Sequence, residues 1–192
     1  MNATASRRIK HSLTAVVGAA LIAACADRSP IAPDRGPALQ ARPSLVAAAG
    51  PELGSCSNLA APAGSSYAFH AFARGVQLYR WSGTAWTPAG VSAELYADAA
   101  GNGQVGIHYT GPYWESLSGS RVKGTLVDRC PVGGNAIDWL SLAGTPDVGP
   151  GVFANVTFIQ RVNTTGGRAP AAGGSLNEMA EVPYTAEYYF YR

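Results

Sequence analysis

Val152-Phe153-Ala154-Asn155-Val156-Thr157-Phe158-Ile159-Gln160-Arg161-Val162 sets Val152, Ala154, Val156, Phe158 and Val162 against Asn155, Thr157 and Arg161. A period of two marks extended chain with one face buried. Residues 121–129 repeat the pattern, with Val122 and Leu126 against Arg121, Lys123, Thr125 and Arg129, and Val127 breaks it. Residues 184–191 are aromatic and strand-like almost to the last residue, so they are expected to pair inside a sheet. Shorter strands are expected over 75–81, 93–96, 104–109 and 140–143.

Glycine-rich corners separate these segments, among them Gly101-Asn102-Gly103, Gly133-Gly134-Asn135, Gly149-Pro150-Gly151, Gly166-Gly167 and Gly173-Gly174. Many short strands between such turns predict an all-β, antiparallel domain, either a β-sandwich or a partly closed β-barrel. At most one short helical turn is expected, with 135–142 the candidate.

The N-terminus reads differently. Arg7, Arg8 and Lys10 precede an apolar run from Leu13 to Ala24, too short to span a bilayer as a permanent helix. That is the pattern of a signal peptide over 1–24. The run ends Leu21-Ile22-Ala23-Ala24-Cys25, which resembles a bacterial lipobox and predicts lipidation of Cys25. Several acyl chains at about 0.8 kcal/mol per buried methylene hold a protein on a membrane stably. The alternative is an ordinary secretory signal and a soluble secreted product. Ala26, in place of aspartate, points to the outer membrane by the usual sorting rule. Residues 25–51 hold five of the thirteen prolines (Pro30, Pro33, Pro37, Pro43, Pro51) and read as a tether, which leaves 52–192 as one domain.

The whole chain carries +2, but three of its fourteen Lys/Arg and none of its twelve Asp/Glu precede Cys25. Eleven basic against twelve acidic residues then give the mature chain −1. Without concentrated positive charge, nucleic acid is not expected as a partner. With Cys25 assigned to lipid, an exported chain is expected to join Cys56 to Cys130; the alternative is two separate thiols.

Sharply spaced catalytic motifs are absent: no G-x-S-x-G, H-E-x-x-H, C-x-x-C or Walker A sequence occurs. Gly101-Asn102-Gly103-Gln104-Val105-Gly106 matches G-x-G-x-x-G. Val105, Ile107 and Tyr109 then alternate as a strand, where a dinucleotide site needs a helix, so a hairpin turn is expected. Asn155-Val156-Thr157 and Asn163-Thr164-Thr165 match glycosylation sequons, which a bacterial exported chain leaves silent. No cofactor and no built-in metal is expected, since only His70 and His108 follow Cys25 and two cysteines are spent; the alternative is a mixed site of histidine and carboxylates.

The richest constellation is His108-Tyr109-Thr110-Gly111-Pro112-Tyr113-Trp114-Glu115. A tight Gly-Pro turn could set Glu115 across from His108 and orient it as a general base. Equally, His108 and Trp114 could pack under the turn. Trp81, Trp86, Tyr109, Tyr113 and Trp114 could form a stacking platform for sugars or phenolic ligands, or fill the core.

The order of motifs carries a resemblance. It runs through Gly75-Val76-Gln77-Leu78-Tyr79-Arg80-Trp81, Gly106-Ile107-His108, Gly111-Pro112-Tyr113-Trp114-Glu115, Ile137-Asp138-Trp139-Leu140, the strand from Val156 to Thr164 and Val182-Pro183-Tyr184 to Tyr191. Together they resemble the family catalogued as domain of unknown function 3455, found in secreted bacterial and fungal proteins. The resemblance implies export and a single domain, and brings no activity or catalytic residue. Relatives often place a cysteine after the Gly-Gly-x-Ala-Pro stretch, where this chain has Ala171-Ala172-Gly173-Gly174, so it lends no support to the Cys56–Cys130 pairing.

These readings make non-enzymatic binding of a carbohydrate, small molecule or cell-envelope component the leading expectation. His108, Tyr113, Trp114 and Glu115 are the candidate ligand residues. Arg161 joins them because an inward-facing guanidinium would need a partner. The rivals are a hydrolase or isomerase with His108 as base, assisted by Glu115 or Asp138, and a purely structural envelope protein.

Overall fold

A computed structural model describes residues 50–192 of the chain. The signal peptide, Cys25 and all but the end of the tether lie outside the described residues. Eight strands follow a short 3-10 helix, Gly54–Leu59: β1 Tyr67–Trp81, β2 Trp86–Tyr96, β3 Gln104–Tyr109, β4 Tyr113–Ser116, β5 Arg121–Cys130, β6 Trp139–Val148, β7 Phe158–Gly166 and β8 Met179–Tyr191. Each strand pairs antiparallel with its chain neighbour, and β8 returns to pair with β1 from Tyr67↔Tyr191 to Arg80↔Met179. The sheet is therefore a closed barrel, which leaves no unpaired edge. Of the two architectures the sequence allowed, this is the barrel, with closure complete.

Strand 104–109 follows the glycine corner at 101–103, where Gly101 and Gly103 take φ of 87° and 62°. The G-x-G-x-x-G lettering thus lies in a β2–β3 hairpin. The helical turn falls at Gly54–Leu59 instead of 135–142, where a bridge Ala136↔Gly167 precedes β6. Val127 is explained by a register shift between Leu126 and Asp128 in the β5–β6 ladder. An extra residue there turns Val127 out to solvent.

The strand expected over 152–162 is shorter than its alternation suggests: residues 152–155 form turns, 156 and 157 are irregular, and β7 begins only at Phe158. Within it Ile159 pairs with Leu142 and Phe190, and Arg161 with Leu140 and Tyr188; these face the interior. Phe158, Gln160 and Val162 lie on the outer face, yet all three are buried. The 3-10 helix supplies cover: Gln160 Nε2 donates to the Leu59 carbonyl at 2.6 Å, and the Tyr191 hydroxyl donates to Gln160 Oε1 at 2.7 Å. The Cys56–Cys130 disulfide, Cα atoms 5.6 Å apart, fastens the helix to the end of β5. Over Phe158–Val162 both faces of β7 are largely covered, so a one-face pattern could not describe it.

Tyr191→Phe is expected to cost about 1–2 kcal/mol, since Gln160 Oε1 is then left buried without a donor. Urea unfolding of the two proteins measures it; equal midpoints would show that the cover is not held through Gln160.

Inside, small residues recur at every second position where strands crowd: Ala71, Ala73 and Gly75 on β1, facing Ala93 on β2 and Ala186 on β8. A Cβ at Gly75 would stand 2.1 Å from the Ser92 carbonyl oxygen. One end of the barrel is filled by rings. Phe69 stacks on Phe190 at 4.6 Å, and Phe153, from the turns before β7, meets both at 5.4 and 5.1 Å. Toward the other end the inward positions are polar or larger, including Gln77, Tyr79 and Arg161, and there the interior opens.

Candidate functional site

Inward-facing residues above the aromatic floor enclose a cavity of ≈ 240 Å³. Its wall is largely apolar, with Val91, Pro88, Pro112, Leu140 and Leu142 beside the rings of Trp114, His108 and Tyr188. Leu140, Leu142, Gln77 and Arg161 also line a wider mouth of ≈ 700 Å³, where Arg129, Arg168 and Asp138 join them. The two spaces adjoin, with these residues in the walls of both. Small closed barrels have room for one small ligand in this position.

His108 sits at the inner end, 3 % exposed, its ring stacked on the Trp114 indole with centroids 4.2 Å apart and planes 8° from parallel. Tyr188 meets both rings edge-on, at 5.1 and 5.2 Å. His108 Nδ1 lies 2.8 Å from the Tyr113 carbonyl oxygen, an acceptor only. The proton therefore belongs on Nδ1, and Nε2 of the neutral ring is an acceptor. Burial pushes the His108 pKa down to about 3; the bond to the Tyr113 carbonyl opposes this and the Arg161 charge adds to it. A ring so weakly basic is poorly matched to proton abstraction near neutrality.

The hairpin does not form the expected dyad. His108 pairs with Trp114, and Glu115 with Ile107, so alternation puts Glu115 and Tyr113 on the outer wall. There the Tyr109 hydroxyl donates to Glu115 at 2.7 Å, and Arg121 donates to Tyr109 and to Asp147. Arg121 also lies over the Tyr113 ring, 4.9 Å from its centre. Asp138 lies at the mouth, absent from the inner cavity lining that holds His108. Nor do the aromatics form one strip. Trp81 and Trp86 pair where β1 and β2 meet their turn, Tyr109 and Tyr113 stack outside, and Trp114 is interior. His70, on the outer wall, stacks on Tyr189 beside Glu187.

Of the five candidate ligand residues, the fold brings His108, Trp114 and Arg161 together and separates Tyr113 and Glu115 from them. It adds Gln77, Leu140 and Tyr188, which the sequence reading missed. Gln77 was hidden because Val76 and Leu78 look like the buried face of β1. The available signal was the small-residue run Ala71-x-Ala73-x-Gly75, which places Gln77 next on the inner face.

Three buried donors in this wall lack acceptors: Gln77 Nε2, Trp114 Nε1 and Arg161 Nε. The Tyr184 and Tyr188 hydroxyls approach the Gln77 and Arg161 side chains closely enough for a weak hydrogen-bonding influence, but Gln77 Nε2 and Arg161 Nε have no acceptor at hydrogen-bond distance and angle. Arg161 Nη2 donates to the Asp138 carbonyl at 2.8 Å. Among the described residues no carboxylate lies within ion-pair distance of Arg161, whereas Asp138 pairs with Arg168 at 3.9 Å. No group of three or more His, Cys, Asp or Glu side chains among the described residues is placed to hold a metal ion.

Residues 62–192 match the family model of a protein of unknown function, DUF3455. The chain belongs to this family. No curated protein and no solved structure matches it. The DUF3455 match spans all eight strands of the barrel, and the 3-10 helix with Cys56 precedes it.

Proposed function

We propose that this DUF3455 barrel is a non-enzymatic binding protein, exported and tethered to the envelope through Cys25, that takes a small, largely apolar ligand into its interior. The carrying observation is that three buried, unpaired donors all belong to residues lining one apolar cavity. Unsatisfied buried polar groups are rare in folded proteins because each costs about 1–3 kcal/mol. Three in one wall are relieved together by a ligand that brings acceptors. An apolar cavity of about 150 Å³ already holds benzene, so one ring with a polar substituent suits this space.

The lipobox and the Pro-rich segment support a place at the outer membrane facing diffusible small molecules. The enzymatic alternative draws less support, because His108 lacks a carboxylate partner and its basicity is suppressed.

Calorimetric titration with one-ring compounds, namely benzyl alcohol, benzamide and benzoate, tests the reading. At least one is expected to bind with one-to-one stoichiometry. Leu140→Trp, which fills the throat between cavity and mouth, is expected to weaken that binding ten-fold or more. Failure of all three to bind the native protein would remove the proposal.

A further inference from the structure

Resting on that reading, we propose that the ligand is a small monocarboxylate, its carboxylate held by Arg161 and its compact apolar body lying against Trp114, Tyr188 and Leu142. Arg161 is the only cation in the wall of the inner cavity, and no carboxylate of the described residues pairs with it. A half-buried guanidinium whose Nε–H is buried without an acceptor is an unfinished ion pair, and its fork matches the geometry of a carboxylate. Trp114 Nε1 and Gln77 Nε2 are donors as well, so no unpaired group among these three favours a cationic ligand.

The mouth extends the same preference. Arg129, Arg161 and Arg168 line it with Asp138 as its one carboxylate, and Asp138 is engaged by Arg168. The approach to the cavity therefore carries positive potential although the mature chain is slightly acidic. Concentrated charge of one sign at a cleft raises the encounter rate of the opposite sign. The apolar remainder of the inner wall argues against multiply charged anions, which one guanidinium could not balance.

Benzoate and benzamide share shape and differ in charge, so they separate this inference from the broader one. Titrated by calorimetry against the purified chain, benzoate is expected to bind at least ten-fold more tightly than benzamide, the margin of a charge-assisted bond. Arg161→Gln is expected to erase that margin, so that benzoate no longer binds more tightly than benzamide. Equal affinity of the two compounds for the native protein would overturn the carboxylate assignment and leave the cavity reading standing. Binding of neither would overturn both. Native protein alone decides these outcomes, so they hold even if the Arg161 variant fails to fold.

Discussion

Replacing Cys56 and Cys130 together by serine is expected to lower the unfolding free energy by about 4 kcal/mol. The bridge joins residues 74 apart in sequence, and closing a loop of that size removes about this much chain entropy from the unfolded state. The loss also has a local face. The 3-10 helix is held further by Asn58, which donates to Asp128 at 2.9 Å, and by the Leu59 carbonyl that accepts from Gln160. Without the bridge, Leu59 and Gln160, both almost fully buried, depend on these contacts alone. Guanidinium unfolding of the oxidised protein and the double variant measures the difference, and a loss under 1 kcal/mol would mean that the helix cover is nearly independent of the bridge.

Acid is expected to destabilise the protein through His108. Its pKa lies at about 3 when folded and near 6.5 when unfolded. Above pH 6.5 both states are neutral at this ring and it contributes no pH dependence. Between pH 6.5 and about 3 the unfolded chain binds a proton that the folded one refuses, so stability falls by about 1.4 kcal/mol per unit of acidification. From pH 7 to pH 4 the loss comes to about 3 kcal/mol. His108→Gln can still donate to the Tyr113 carbonyl and does not titrate, so it isolates the effect. Urea unfolding between pH 6.5 and 5, above most carboxylate titration, is expected to give a sloping stability in the native protein and a flatter one in the variant. Parallel slopes would show that His108 becomes protonated without opening the barrel.

The amino-acid pattern carried the class of fold because alternation and glycine corners are local properties. Residues 104–109, 121–129 and 184–191 could be read as strands from their own side chains. The Cys56–Cys130 pairing followed from compartment and count, and the bridge is there. Closure was not local: it depends on β8 lying between β7 and β1, over a separation of more than a hundred residues. The face assignment on β7 failed for a related reason. Gln160 is covered from outside by a helix a hundred residues earlier, and Phe158 packs against Tyr191 of β8, which no period within β7 reveals.

The site was half legible. Trp114 and His108 stood out because large or titratable residues beside a Gly-Pro turn attract notice, and both do reach the cavity. Glu115 was misplaced by one residue of register: a pairing with Ile107 in place of His108 puts it on the other side of the wall. Tyr113 is lost to the outer wall by the same alternation. Tyr188 has no sequence signature of its own, since its importance comes from what lies opposite it across the barrel, and Gln77 is signalled only by the small residues that precede it on the inner face.

A ligand received by the unpaired donors of the barrel interior is reported by the Trp114 indole N–H. In a nitrogen-15-resolved spectrum the chain's four tryptophans give four indole signals, assignable by replacing each tryptophan with phenylalanine. Titration with benzoate is expected to move the Trp114 signal saturably, as the ligand comes to lie against the indole, while those of Trp81 and Trp86 stay in place. A Trp114 signal unmoved at saturating benzoate, or moved no more than those outside the barrel, would contradict ligand binding by these donors.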